Sequence, residues 1–128
     1  MDKVRLWAGR IMSALVILFL AVDSVGKLLR LDPVVQATTR LGYPSHVVFG
    51  IGLVLAISVV LHLVPRTSVL GAVLLTGFLG GATATHVRVD DPMFSHTLFP
   101  IYVAAFLWGG LFLRDTRVRS FFPLRTER

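Results

Sequence analysis

The chain has 128 residues, of which 55% are hydrophobic and 16% are charged. A soluble domain is about 45–50% apolar even when glycine is counted, and a domain this small exposes too much surface to hide a larger share. The composition therefore argues against a soluble enzyme, a nucleic-acid-binding module and a disordered chain. The net charge of +6 comes from basic residues between apolar runs, which is typical of membrane orientation.

The first predicted membrane span covers residues 11–29. A helix needs about 20 mainly apolar residues to cross the hydrocarbon core. Residues 11–22 contain no charge, and Asp23 and Lys27 interrupt the far end. The basic start is similar to that of a signal peptide, but no small-x-small cleavage site follows and the apolar pattern resumes after Asp23. We therefore predict a retained helix.

A short amphipathic helix is predicted between spans one and two. Asp32 can cap it, Pro33 suits its first position and Gly42 suits its C-terminal stop. One face carries Val34, Val35, Thr38 and Leu41, and the other carries Gln36 and Arg40. Such a helix is expected to lie at the membrane interface or to fold over the mouth of a bundle.

The second and third spans are separated by a tight turn. The second covers residues 45–64, between Pro44 and Pro65, and the third covers residues 68–87, with Thr67 as its expected N-cap. Both are continuous apolar runs of the length that a bilayer requires.

The fourth span covers residues 95–113 and contains Pro100 near its start. That proline either kinks the helix or marks its first position. In the second case residues 94–99 are non-helical, and such backbone at membrane depth must be covered by protein or line a cavity. We therefore predict one all-α membrane domain over residues 1–128: a four-helix bundle followed by a basic tail, residues 114–128.

Span three carries a GxxxG pattern, Gly77-Phe-Leu-Gly-Gly81, with Gly80 beside it. Small residues let membrane helices approach closely, so Gly77, Gly80 and Gly81 are predicted to serve helix packing. We favour packing within one bundle, and a homodimer face is the alternative.

The distribution of lysine and arginine predicts that both termini are cytoplasmic. The side that holds the termini carries nine basic residues, namely Lys3, Arg5, Arg10, Arg66, Arg114, Arg117, Arg119, Arg125 and Arg128. The other side carries four, namely Lys27, Arg30, Arg40 and Arg88. The five arginines of the tail either bind anionic lipid headgroups or act only as a topology signal.

Ionisable residues gather at the predicted extracytoplasmic end. Asp23 and Lys27 stand four residues apart on one helix face, where they can neutralise each other. Because ionisable groups are costly inside a membrane, such a cluster indicates a polar pocket that opens outward. The predicted ligand-binding residues are Asp23, Lys27, Thr83, His86, Arg88, His96 and Tyr102. The alternative is structural: an ion pair with a snorkelling lysine, a helix cap at His86 and histidines in the headgroups.

The histidines do not form a recognisable metal or haem motif. His46, His86 and His96 fall at one end and His62 at the other, with neither HExxH nor a short HxH spacing. No serine lies on a nucleophile elbow, so no catalytic residue is predicted. The chain has no cysteine, so any redox role requires a cofactor or a partner protein.

Several sequence blocks resemble the DoxX-like family of small bacterial four-helix membrane proteins. The most specific is Gly80-Gly-Ala-Thr-Ala-Thr-His-Val-Arg88, supported by Pro65-Arg-Thr and His96-Thr-Leu-Phe-Pro100. The resemblance covers residues 11–115 and implies a bundle in the bacterial cytoplasmic membrane. Association with quinone-linked oxidation systems is implied by analogy. Many members carry a glutamate in span two, where this chain has Gly52-Leu-Val-Leu55-Ala.

The primary hypothesis is a membrane protein that binds a quinone, a lipid or another small amphipathic molecule in the outward-facing pocket. It has no predicted catalytic activity of its own, and a quinone is the candidate cofactor. One alternative is an accessory subunit of a membrane redox complex. Another is a small proton-coupled transporter in which Asp23 titrates. The expected partners are the lipid bilayer and either a second copy or a redox protein, with no nucleic acid.

Overall fold

The computed structural model describes residues 2–124, and these residues form helices and turns with no β-strand. The helices are α1 (Lys3–Leu28), α2 (Asp32–Arg40), α3 (Val48–Leu63), α4 (Ser68–Arg88), α5 (Phe99–Arg114) and α6 (Thr116–Arg119). Single 3₁₀ turns at Ser45–Val47 and Pro65–Thr67 precede α3 and α4, and a π-helical turn at Met93–Thr97 precedes α5.

Four helical segments are long and apolar enough to cross a membrane: Lys3–Leu28, Ser45–Leu63, Pro65–Arg88 and Met93–Arg114. Helix α1 packs against α3 and α5, and α4 packs against the same two helices, so the four form a ring. Bulky apolar side chains such as Leu18 and Val22 are exposed on the outside, where lipid would cover them. The prediction of an all-α four-helix membrane bundle is confirmed.

The first helix begins eight residues before the predicted span. The Asp2 carboxylate accepts a hydrogen bond from the backbone N–H of Val4 at 3.1 Å and thereby caps α1, which starts at Lys3. The sequence pattern located only the apolar stretch of this helix. The polar first turns need a cap and good helix formers, not apolar side chains.

The start of the fourth span follows the second of the two alternatives. Pro100 lies in the first turn of α5, where its missing N–H costs nothing. The expectation that residues 94–99 are then non-helical is wrong, because backbone hydrogen bonds such as Leu98 N–H to the Met93 carbonyl close a π-helical turn over Met93–Thr97. This turn lengthens the apolar segment back to Met93, and α5 begins at Phe99. Proline therefore marks a helix start and does not kink a continuous helix.

The core lies along the axis of the ring. Its most buried side chains come from all four long helices and include Leu20, Leu55, Leu75 and Leu107. Helix α6 folds back under the end of the bundle that holds the termini, and its Val118 is only 1% exposed. Of the predicted basic tail, Arg125 and Arg128 lie outside the described residues.

Helices α3 and α4 approach each other closely at Gly71. A Cβ placed there would stand 2.3 Å from the backbone nitrogen of His62, so only glycine lets α3 and α4 meet at this point. The glycines predicted to serve helix packing are placed differently: Gly77, Gly80 and Gly81 have no heavy atom within 4 Å of a Cβ position. Their role in helix packing stays a prediction, and the open space around them does not support it.

Buried polar groups occur near the predicted cytoplasmic end. The Nε–H of Arg114 donates to Ser13 Oγ at 2.9 Å, which ties α5 to α1. His62 is 2% exposed, and its Nδ1–H donates to the Ser68 carbonyl at 2.8 Å. Its Nε2 has no hydrogen-bond partner among residues 2–124.

Candidate functional site

A cavity of about 1050 Å³ occupies one end of the bundle, enclosed by α1, α3, α4 and α5. Its lining comes from the C-terminal halves of α1 and α4 and the N-terminal parts of α3 and α5. Antiparallel packing brings these four regions to the same end, opposite the chain termini. This is the end at which the sequence predicts a polar pocket.

Helix α2 forms the roof of the cavity. Val34, Thr38 and Leu41, three of the four residues on its predicted apolar face, line the space below it. Of the two locations expected for this helix, the structure has the one over the bundle mouth. Thr38 on this face is buried and Val34 and Leu41 are half-buried, while Gln36 and Arg40 on the other face are exposed.

Two arginines hold the roof segment, which is the connection from Leu41 to Ser45 that follows α2. One Nη–H of Arg88 donates to the Leu41 carbonyl at 2.9 Å, and one Nη–H of Arg30 donates to the Ser45 carbonyl at 2.7 Å. Gly42 follows Leu41 with φ at +101°, and a Cβ there would stand 2.9 Å from the Arg88 guanidinium. The backbone angle thus favours glycine, and a Cβ here would also make the Arg88 guanidinium shift.

A hydroxyl pair joins the roof to the wall. Tyr43 and Thr85 both line the cavity, and their side-chain oxygens are 2.7 Å apart. Thr85 is 7% exposed. Neither residue is among the predicted ligand-binding residues. The only signal was their polarity within an apolar segment, because residues 42 positions apart carry no periodicity that relates them.

The wall of the cavity is apolar and includes large and small residues. The large side chains are Phe19, Ile51, Val54, Phe78 and Val103, and the small ones are Gly50, Gly77, Gly81 and Ala82. The open space at Gly77 and Gly81 is part of the cavity, because each lacks a Cβ neighbour and each belongs to the lining. Gly77 and Gly81 therefore create volume in this part of the bundle.

Asp23 and Lys27 form an ion pair in the cavity lining. Lys27 Nζ lies 2.5 Å from Asp23 Oδ1, and the two side chains are 14% and 31% exposed respectively. The position of Lys27 depends on close packing of α1 against α3, since a Cβ at Gly52 would stand 2.6 Å from the Cβ of Lys27. The predicted mutual neutralisation of Asp23 and Lys27 is present in the structure.

His86 lines the cavity and is held by a carboxylate outside it. Its Nδ1–H donates to Asp91 Oδ2 at 2.5 Å, which fixes the orientation of the ring. The ring of His96 lies 6.2 Å away, centroid to centroid, but His96 is exposed and does not line the cavity. Asp91 was absent from the predicted site residues, although its place five residues after His86 is a local signal.

The structure brings together three of the seven predicted ligand-binding residues, namely Asp23, Lys27 and His86. The other four do not line the cavity. Arg88 supports the roof, Thr83 donates to the Leu79 carbonyl of its own helix, and the Tyr102 hydroxyl donates to the Phe94 carbonyl. A role for these residues in ligand binding stays a prediction.

Within residues 2–124, no group of three or more His, Asp or Glu side chains is arranged to hold a metal ion.

Neither a curated protein nor a solved structure matches the chain. A sequence model of the DoxX-like family matches residues 11–110, which include almost the whole four-helix bundle and every element of the cavity. The chain is therefore a multi-pass membrane protein that belongs to the DoxX-like family.

Proposed function

We propose that the protein binds a small amphipathic molecule, such as a quinone or a lipid, in the cavity beneath α2. The observation that carries this proposal is a space of about 1050 Å³ with a mainly apolar wall and polar groups at its mouth. Small-molecule sites in proteins are commonly about 300–1000 Å³, mostly apolar, with a few polar groups that orient the ligand. The cavity has the size and the lining of such a site.

The arrangement of the lining gives the ligand a direction. Its polar part would lie beside Asp23, Lys27 and His86, near the roof. Its apolar part would extend along α3 and α4, past Val54 and Gly77, toward the middle of the bundle. In the proposed orientation both termini are cytoplasmic, the protein lies in the bacterial cytoplasmic membrane, and the polar end of the cavity faces outward. The excess of basic residues on the side of the termini supports this orientation.

Two leucine substitutions on α4 test the proposal. Gly81→Leu directs a branched side chain into the cavity, because Gly81 lines the space and has no Cβ neighbour within 4 Å. Gly80→Leu is the matched control: it makes the same change one residue away on the same helix, also in open space, at a position that does not line the cavity.

The readout is native mass spectrometry of protein extracted in mild detergent with its bound molecules retained. Wild type and Gly80→Leu are expected to carry the same small-molecule adduct, and Gly81→Leu is expected to lose it. The mass and the ultraviolet spectrum of the released molecule distinguish a quinone from a lipid. A wild-type protein without any adduct, or an adduct that persists in Gly81→Leu, would contradict the proposal.

A further inference from the structure

We propose that the cavity selects amphipathic molecules with an electrically neutral, oxygen-bearing head group, such as an alcohol or a carbonyl compound, over anionic and cationic amphiphiles. This inference rests on the proposed function, since it specifies which chemistry the cavity accepts. It is carried by the balance of charge in the lining and by the hydrogen-bonding capacity that the ion pair leaves unused.

The charged side chains of the lining cancel each other. Among residues 2–124, Asp23 and Lys27 are the only Asp, Glu, Lys or Arg side chains that line the cavity, and they are in direct contact. A head group at this position therefore meets a dipole with no net charge. An ionic head group would lose part of its hydration beside this pair, whose side chains are 14% and 31% exposed, without gaining a free counter-charge, and burial of an uncompensated charge is unfavourable.

Three further charged residues at this end, Arg30, Arg88 and Asp91, lie outside the lining and have partners of their own. Arg88 and Arg30 donate to backbone carbonyls of the roof segment, and neither lines the cavity. Asp91 is engaged by His86 from outside the lining. Among residues 2–124 no arginine lines the cavity, so the lining offers no guanidinium to a carboxylate or a phosphate, which arginine usually binds in bidentate fashion.

The ion pair still has hydrogen-bonding capacity toward the cavity. Lys27 Nζ carries three protons, and within the described part of the chain it donates only to Asp23 Oδ1. Asp23 Oδ2 accepts no hydrogen bond from residues 2–124. The pair therefore offers a donor and an acceptor side by side. A hydroxyl group can use both, and a carbonyl oxygen can use the donor.

Three probes with the same alkyl tail test the selectivity. Hexadecanol is neutral, hexadecyl sulfate is permanently anionic and hexadecyltrimethylammonium is permanently cationic, so neither charged probe can enter by becoming neutral. Each is offered at the same low concentration to the full-length protein in a non-ionic detergent, and occupancy is measured by native mass spectrometry. Wild type is expected to bind hexadecanol at least about tenfold more tightly than either charged probe.

Single substitutions of the pair should change this order in opposite directions. Asp23→Asn leaves Lys27 unpaired and is expected to shift the preference to hexadecyl sulfate. Lys27→Gln leaves Asp23 unpaired and is expected to shift it to hexadecyltrimethylammonium. Asp32→Asn, an exposed change outside the lining, controls for net charge and should keep the wild-type order.

The outcomes separate this inference from the function beneath it. The inferred selectivity is overturned if wild type binds either charged probe more tightly than hexadecanol. If Gly81→Leu then loses binding of that charged probe, the cavity is still the binding site and the proposed function stands. Equal binding of all three probes also overturns it. If no probe binds to wild type, the proposed function fails together with the inference. If a substituted protein does not fold, the order of wild-type affinities for the three probes is sufficient to test the selectivity.

Discussion

The Tyr43 hydroxyl donates to Thr85 Oγ1 across 2.7 Å, and this bond joins the segment after α2 to the C-terminal half of α4. The direction follows from the Thr85 hydroxyl, whose own proton goes to the Gly81 carbonyl at 2.9 Å. Because both residues line the cavity, the bond connects its roof to its wall. The stability of the roof should therefore depend on this pair.

Tyr43→Phe tests the connection. Loss of one partly buried hydrogen bond is expected to lower the free energy of unfolding by about 1 kcal/mol. The larger effect is expected in α2, whose amides should exchange with deuterium faster because the roof opens more often. Tyr102→Phe is the control, since its hydroxyl bonds to the Phe94 carbonyl, away from α2. Equal exchange in α2 of the two variants would contradict the role of Tyr43.

Gly71→Ala is expected to destabilise the bundle by about 2–3 kcal/mol, because the new Cβ would overlap the His62 backbone, which cannot move without separating α3 from α4. Thermal unfolding in detergent measures the change. Gly80→Ala is the matched control on the same helix. With no atom within 4 Å of its Cβ, it should be neutral or raise the stability by up to about 1 kcal/mol through helix propensity. A similar loss at both positions would argue against the close approach at Gly71.

Ser13→Ala removes the acceptor of the Arg114 Nε–H, which spans 2.9 Å between α5 and α1. A hydrogen bond to a charged group contributes about 1.5–3 kcal/mol, so the midpoint of thermal unfolding should fall clearly. Ser95→Ala, which removes an exposed hydroxyl beside His96, should change it little. Unchanged unfolding of Ser13→Ala would show that Arg114 finds another partner at no cost.

Cysteine labelling tests the proposed orientation, because the chain contains no cysteine and each introduced thiol is unique. Thr39→Cys lies on the exposed face of α2, and Thr116→Cys lies at the start of α6. In intact bacterial cells, a membrane-impermeant maleimide should label the first and not the second, and permeabilisation should expose both. The reverse pattern would invert the topology and place the cavity on the cytoplasmic side.

Much of the fold was predictable, because a helix in lipid satisfies its backbone hydrogen bonds within one continuous segment. Apolar run length therefore located the four spans, Pro65 marked the limit between the second and third, and Pro100 marked the start of α5. The pairing of Asp23 with Lys27 was also predictable, because residues four positions apart lie on the same face of a helix.

The glycines of α4 illustrate what a pattern leaves open. The spacing of Gly77 and Gly81 is typical of tight helix packing, yet in this bundle both lie along the cavity. A glycine permits either a close contact or an empty space, and only the distance to the neighbouring helix distinguishes the two. That distance depends on packing at other points, such as Gly71 against His62 and Gly52 against Lys27.

The composition of 128 residues, with 55% hydrophobic and 16% charged, indicated a membrane protein, and the lengths of its apolar runs located four spans. The sequence did not decide whether α2 lies over the bundle, and it did not predict that Tyr43 pairs with Thr85, or that Arg88 binds the roof segment and not a ligand in the cavity. These contacts join residues more than forty positions apart. Helical periodicity is local, whereas the site exists only where four helices converge.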